Sequence, residues 1–156
     1  LKTLRFNEVR IKDGFIKDRK TPSENLTQSI MGDKKELILS LGSNFDQENS
    51  ISEAKTKLRD MFGEEIMFSE SIWTNPIGIE SDKFLNCLVF THTSHKLEYI
   101  MKAMKHIERI CGNRKRARTK NIVKMDIDIL KYGGQTLHEK DWSRDYIVRL
   151  MEKCPF

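Results

Sequence analysis

The sequence predicts an α+β fold in which helices pack on a mainly antiparallel sheet. Short apolar runs typical of strands alternate along the chain with two longer segments whose apolar residues recur at helical spacing. Their order is strand, helix, strand, strand, helix, strand, followed by a short terminal helix. With 156 residues and 38% hydrophobic content, the chain can bury the core of one compact domain without disulfides or a structural metal.

The first half of this pattern begins at Glu36. ELILSLGSN is an apolar run that ends in turn residues, as a buried strand does. Ser50 and Glu53 form a capping box for the first helix, and Gly63 is placed to end it. EIMFSESIW alternates as a strand should, TNPIGIESDK is a loop by its Pro and Gly content, and FLNCLVFTH is another strand.

The second half contains a helix, a basic loop and a strand. Ser94 is expected to cap this helix, and the strand is IVKMDIDILKY. GGQ turns the chain, and a short helix is expected from near Asp141 or Trp142 to Met151. This order is the split β-α-β arrangement of a ferredoxin-like sandwich, with helices packed on one face of the sheet.

Residues 1–35 differ in character from the rest of the chain. The segment KTPSENLTQS is polar and rich in turn residues, and hydrophobic periodicity is weak before it. We expect residues 1–35 to be a weakly structured extension of a domain at residues 36–156. Met31 lies just before the first strong strand, so the natural start could lie there.

The composition favours a cytoplasmic protein. Three cysteines, an odd number with no CxxC pair, argue against a disulfide framework. No apolar run approaches the roughly 18 residues that cross a membrane, and the N-terminus lacks the apolar region of a secretory signal. The net charge of +5 attracts phosphates of any kind, so nucleotide, nucleic acid and an anionic membrane surface stay open as partners.

Two carboxylates, Asp126 and Asp128, are the first candidates for chemistry. At positions i and i+2 of a strand they point to the same face, and they repel unless a cation lies between them. Mg²⁺ prefers such oxygen ligands, with phosphate and water completing its shell. The alternative is a solvated strand face paired with nearby lysines.

A basic tract stands directly before these aspartates. Cations that face a metal-carboxylate site are the arrangement that phosphoryl transfer needs. Such tracts also occur as solvated loops or nucleic-acid contacts, although this one has no interleaved aromatic residue to stack a base. Its members are Arg114, Lys115, Arg116, Arg118, Lys120 and Lys124.

The loop after the second predicted strand could recognise a flat ring. Thr74, Asn75 and Asn86 supply hydroxyl and amide partners, and Phe84 supplies an apolar face. Ordinary turn residues beside a core phenylalanine would give the same pattern.

In combination, these motifs resemble the family of 6-hydroxymethyl-7,8-dihydropterin pyrophosphokinase, an enzyme of folate synthesis. The resemblance covers residues 36–156. The matching motifs are LGSN at 41–44, T-x-P-x-G at 74–78, FLN at 84–86, I-E-x-x-x-G at 107–112, DIDIL at 126–130, and His138 with Arg144-x-Tyr146.

The resemblance implies transfer of diphosphate from ATP to the hydroxymethyl group of the pterin, giving AMP. It also implies a monomer whose partners are ATP and a pterin. Binding to a membrane or to nucleic acid is not expected. Asp126 and Asp128 would hold two Mg²⁺ ions. The pterin would lie against Gly42, Ser43, Asn44, Thr74, Ile77, Phe84, Asn86 and Tyr146. ATP would contact Glu108, Arg118, Lys120, Lys124, Ile129, His138 and Arg144, with Arg114, Arg116, His138 and Arg144 assisting the transfer.

The chain departs from the family pattern in the basic loop. KNIVK stands at 120–124 where the family usually has Arg-Trp-Gly-Pro-Arg, and the Arg that usually follows Gly112 is displaced to Arg114. Leu137 replaces the Pro that usually precedes the His. Slow catalysis, an altered substrate, a relative that binds without turnover, and a nucleic-acid-binding module are the alternatives that these departures leave open.

Overall fold

The computed structural model describes residues 33–112 and 121–156, which fall within one compact unit, Gly32–Phe156. The predicted extension lies outside the described residues except for its last three, and the first strand already begins at Lys35. In chain order the elements are β1 (Lys35–Ser43), α1 (Gln47–Phe62), β2 (Met67–Phe68), β3 (Ile72–Thr74), β4 (Phe84–Thr93), α2 (Leu97–Ile110), β5 (Asp126–Tyr132), β6 (Gln135–Thr136), a 3-10 turn (Glu139–Asp141) and α3 (Asp145–Met151).

The described strands form one sheet in the order β2-β4-β1-β5-β6, with β3 also paired to β4. All of these pairings are antiparallel, which confirms the predicted α+β fold class. The single strand predicted at EIMFSESIW is divided into β2 and β3. Ser69 lies between them, where its hydroxyl accepts a hydrogen bond from the Leu88 amide at 2.8 Å in place of a ladder bond.

The cap of α1 lies four residues before the predicted Ser50, and the cap of α2 lies two residues after the predicted Ser94. Ser50 is buried in the first turn of α1 rather than capping it, because its hydroxyl donates to the Phe45 carbonyl at 2.9 Å. The cap position is Asp46, in the left-handed region at φ 45°. α2 begins after Lys96 rather than Ser94. Gly63 does end α1, at φ 84°, a conformation that favours glycine.

One face of the sheet packs against α1 and α2, as predicted. Alternate residues of β1, β4 and β5 point to this face, and the apolar stripes of the two helices cover them. The main members of this core are Leu37, Leu39, Leu41, Ala54, Leu58, Cys87, Val89, Ile100, Met104, Ile127 and Ile129.

The opposite face is covered by α3, which differs from the expectation that all helices share one face. β1 and β4 carry buried apolar residues on both faces, so both faces need a covering layer. Ile147 and Leu150 of α3 pack on Ile38, Leu88 and Phe90. Within the described ranges, no helix is both long and apolar enough to span a membrane.

Candidate active site

The candidate site lies on the α3 face of the sheet, beyond the end that α3 covers. Gly42 of β1 pairs with Asn86 of β4 on one side and with Asp126 of β5 on the other. Two residues along, Ser40 pairs with Asp128. Residues opposite one another in a sheet project from the same face, so the aspartates and Asn86 share this face.

Gly42 allows the polar groups of this face to approach the strand backbone closely. A Cβ atom at this position would lie 3.0 Å from Asn86 Oδ1 and 3.7 Å from Phe84 Cδ1. A residue with a Cβ atom would therefore shift the Asn86 amide, whereas its distance from the Phe84 ring would be an ordinary van der Waals contact.

Asn86 is joined to the loop that the sequence assigned to ring recognition. Its Nδ2 donates to Thr74 Oγ1 at 2.8 Å, and Thr74 is paired with Phe84 across β3 and β4. Phe84, Asn86 and Leu88 alternate along β4 and share one face, and Tyr146 packs against the apolar cluster that contains Leu88. Phe84 and Tyr146 therefore lie on the same side of the sheet.

A cavity of about 460 Å³ opens beside the Thr74–Asn86 pair. Thr74, Ile77, Arg144 and Tyr146, all predicted site residues, line it. Its volume is within the range that holds small organic ligands. Trp73 and Arg149 also line the cavity but were not predicted from the sequence. Trp73 is 51% exposed in the middle of β3, and its position directly before Thr74 was the one available signal.

Ser43 and Asn44 are placed differently from the other predicted pterin residues. Ser43 is fully buried, and it follows Leu41 on the helix-covered face because side chains alternate along the strand. The Asn44 amide donates to the Asn121 carbonyl at 2.7 Å and accepts from the Val123 amide at 2.6 Å. Asn44 thus fixes the segment that follows the basic loop.

Glu108 holds the edge of β5. Its carboxylate is 2% exposed and accepts a hydrogen bond from the Ile127 amide at 2.9 Å, while Lys105 Nζ donates to both of its oxygens. β6 pairs only with the far end of β5, so Glu108 satisfies a strand amide that β6 does not reach. Ile129 is buried in the core between the sheet and the helices. These two predicted ATP residues therefore lie on the side away from the aspartates.

Asp128 belongs to a polar cluster that continues beyond β5. One oxygen of Asp128 lies 3.8 Å from His138 Nε2, and His138 Nδ1 lies 3.8 Å from an oxygen of Asp141. The other oxygen of Asp141 lies 2.7 Å from Arg144 Nη2. Asp141 was not predicted from the sequence, although its spacing of three residues from both His138 and Arg144 was visible there.

The Asp128 carboxylate needs a positive partner. Burial and, secondly, the charge of Asp126 raise the pKa of Asp128 to about 6. Mg²⁺ takes oxygen ligands and would remove this repulsion, so Asp126 and Asp128 fit the ion that the sequence implied. Ligand atoms of Asp128, His138 and Asp141 also lie within 4.8 Å of one another. An imidazole ligand suits transition metals better than Mg²⁺, so the aspartate pair is the better match.

The structure describes one cation of the predicted basic loop, Lys124. The loop's other predicted site residues, Arg114, Arg116, Arg118 and Lys120, lie outside the described residues. The Lys124 ammonium lies 5.1 Å from the centre of the Phe45 ring. Its side chain also passes the backbone of Gly112, where a Cβ would meet Lys124 Cδ at 3.0 Å. Lys124 therefore lies between Gly112, which follows α2, and Phe45, which follows β1.

A carboxylate pair flanked by a histidine and an arginine is a donor set that suits a phosphoryl-transfer enzyme. Comparison with protein-family models matches residues 38–154 to 7,8-dihydro-6-hydroxymethylpterin-pyrophosphokinase (HPPK), and the chain belongs to this family. The match covers most of the chain and confirms the resemblance drawn from the motifs. Comparison with curated proteins found no match.

Proposed function

We propose that the protein transfers diphosphate from ATP to the hydroxymethyl group of 6-hydroxymethyl-7,8-dihydropterin, releasing AMP. The observation that carries this proposal is the rung formed by Asn86, Gly42 and Asp126. It places a hydrogen-bonding group suited to a ring edge directly beside a carboxylate suited to a metal-bound phosphate. The proposed pterin-binding and phosphate-binding groups would thus lie on either side of Gly42.

The pterin half of the site would use the cavity beside β3. Thr74 and Asn86 are already hydrogen-bonded to each other and would bind the polar edge of the ring. Tyr146 and Phe84 would bind its faces, and Ile77 and Trp73 would shield it from water. Ser43 would lie behind this wall, and Asn44 would hold the segment that precedes β5 rather than contact the ring.

The phosphate half would use Asp126 and Asp128 to hold two Mg²⁺ ions, which when bound neutralise the phosphate oxygens. His138 and Arg144 would contact the triphosphate. Arg144 also lines the cavity, so it would lie where the pterin hydroxyl meets the β-phosphorus. The cations among residues 114–120, which lie outside the described residues, and Lys124 would add positive charge for the phosphates.

The transfer would proceed by direct attack. The hydroxymethyl oxygen bonds to the β-phosphorus, the bond from that phosphorus to the α,β-bridging oxygen breaks, and the hydroxyl proton leaves to solvent. Positioning is sufficient for such a step. Burial raises the pKa of both Cys87 and Cys111 to about 11, so neither thiol is a candidate covalent nucleophile. All three cysteines are free, which fits a reducing cytoplasm as the place of reaction.

The test is AMP formation from ATP, Mg²⁺ and the hydroxymethyl-dihydropterin. Replacing both Asp126 and Asp128 by Asn should abolish it while pterin binding is retained. Replacement of Asp82 by Asn, which removes a charge at an exposed position of the loop before β4, is the control. Unchanged turnover in the double variant would contradict the proposed roles of the aspartates.

Binding without turnover is the second candidate, favoured by the Lys124 and Asn44 contacts that fix the end of the altered loop. Calorimetry together with an AMP assay distinguishes this candidate from the enzyme. Saturable binding of ATP without formation of AMP would indicate a protein that binds without turnover. Nucleic-acid binding, the third alternative, would show affinity that falls linearly with the logarithm of salt concentration.

A further inference from the structure

The carboxylate of Asp141 lies between the two side chains assigned to the triphosphate, Arg144 and His138. Its Oδ1 lies 2.7 Å from Arg144 Nη2 and its Oδ2 lies 3.8 Å from His138 Nδ1. The Asp141 side chain is 18% exposed, against 41% for Arg144 and 47% for His138. The carboxylate is therefore the inner member of the group, and Arg144 and His138 are its more exposed neighbours.

The backbone around Asp141 is fixed independently of this carboxylate. The Asp141 amide donates to the His138 carbonyl at 2.8 Å, and the Arg144 amide donates to the Asp141 carbonyl at 3.0 Å. The Trp142 indole donates to the Leu137 carbonyl at 2.9 Å. A substitution at residue 141 keeps all three bonds, so it removes the carboxylate without removing the turn.

Asp141 is better suited to hold Arg144 than to bind a metal. The closest imidazole nitrogen to Asp128 is Nε2 and the closest to Asp141 is Nδ1, so the two carboxylates lie nearest to different nitrogens of the ring. An ion bound at Asp128 and Nε2 would have Asp141 behind the ring, where carboxylates orient metal-bound histidines. The other Asp141 oxygen already forms an ion pair with the guanidinium at 2.7 Å.

We infer that Asp141 is a positioning residue, which acts through Arg144 to hold the guanidinium between the cavity and the phosphate site. This inference rests on the proposed function, because it takes ATP as the ligand of Arg144. An arginine held by a carboxylate loses less conformational freedom on binding phosphate than a free one. Asp141 should therefore strengthen the binding of ATP in the native protein and leave the binding of the pterin unchanged.

The sign of the effect separates positioning from simple charge. Asp141 is an anion close to a site for a polyanion, so by charge alone its removal would strengthen ATP binding. If Asp141 positions Arg144, its removal weakens ATP binding instead. Glu139→Gln is the matched control, because Glu139 is exposed on the same turn and the substitution removes the same charge.

The experiment is calorimetry of the full chain with Mg²⁺ and a non-hydrolysable ATP analogue, and separately with the pterin. For Asp141→Asn we expect the Kd of the analogue to rise about three- to tenfold with the Kd of the pterin unchanged. Glu139→Gln should leave the analogue's Kd unchanged or lower it. In an Arg144→Ala background, Asp141→Asn should have no further effect.

The inference is overturned if Asp141→Asn binds the analogue as tightly as the parent protein or more tightly. It is also overturned if pterin binding is lost in parallel, which would indicate a general structural role, or if the effect persists without Arg144. A parent protein that binds no analogue would overturn the proposed function and this inference together. If the parent protein binds the analogue and forms AMP from ATP, but the variants do not show the expected changes in Kd, this inference alone is overturned.

Discussion

Replacement of Asp128 by Asn should stabilise the metal-free protein at neutral and higher pH. The native state holds the Asp128 proton more tightly than the unfolded chain does, since burial and Asp126 raise its pKa from an ordinary 3.8 to about 6. Below the ordinary pKa both states are protonated and Asp128 costs no stability. As pH rises from 3.8 to about 6, the unfolded chain loses this proton while the native state retains it, so stability falls, and the cost is complete above about pH 6.

The size of the effect follows from this pKa difference. A raise from 3.8 to about 6 corresponds to about 3 kcal/mol if fully realised. Because 32% of the Asp128 side chain is exposed, solvent screening reduces the expected value to about 1–2 kcal/mol. Asn has nearly the same shape and carries no charge, so the variant should gain this amount at about pH 8 and much less at about pH 4.5.

The assay is urea unfolding with EDTA present at both pH values, with the free energy taken from the midpoint and slope. Asp82→Asn is the control, because Asp82 is exposed. At about pH 8, added Mg²⁺ should then stabilise the parent protein and not the Asp128 variant, because the ion binds the native carboxylate. An Asp128 variant that is no more stable at about pH 8, or whose gain does not depend on pH, would refute the reasoning.

Individual contacts give three further predictions. Gly42→Ala should raise the KM for the pterin about tenfold, because its Cβ would meet Asn86 Oδ1 at 3.0 Å; pterin titration measures this, and an unchanged KM contradicts it. Glu108→Gln, which keeps an acceptor for the Ile127 amide, should cost about 1 kcal/mol of unfolding free energy, and Glu108→Leu about 3 kcal/mol; equal urea midpoints would contradict the contact. Trp73→Phe should remove most of the fluorescence change on pterin binding, whereas a Trp142→Phe variant that lost it instead would place the ligand elsewhere.

The fold could be predicted where one periodicity dominates a segment. The apolar stripes of α1 and α2 identify the helix faces that enter the core, and the continuous apolar runs of β1 and β4 identify both as buried strands. The helix starts were missed because Ser50 and Ser94 matched a capping signal, while the actual cap positions make no side-chain capping bond. The position of α3 was missed because a continuous apolar strand shows that both faces are buried but not which element covers the second.

The candidate site could be predicted only in part, for a related reason. The spacing of Asp126 and Asp128 along one strand fixes their common face, so that placement follows from the sequence alone. Glu108 and Asn44 were assigned to ligands, yet their side chains bind backbone groups of neighbouring segments. Asp141 was overlooked because its contact with Arg144 depends on a turn that local periodicity does not reveal.

The most direct test of diphosphate transfer uses ATP labelled on its γ-phosphate. Because Asp126, Asp128 and Arg144 are proposed to act on the β-phosphorus, diphosphate should move as a unit. We expect the label to appear on the pterin as a diphosphate, with AMP formed in equal amount and only when Mg²⁺ is present. Label on a pterin monophosphate with formation of ADP, or ATP consumption that does not depend on the pterin, would contradict the proposed transfer.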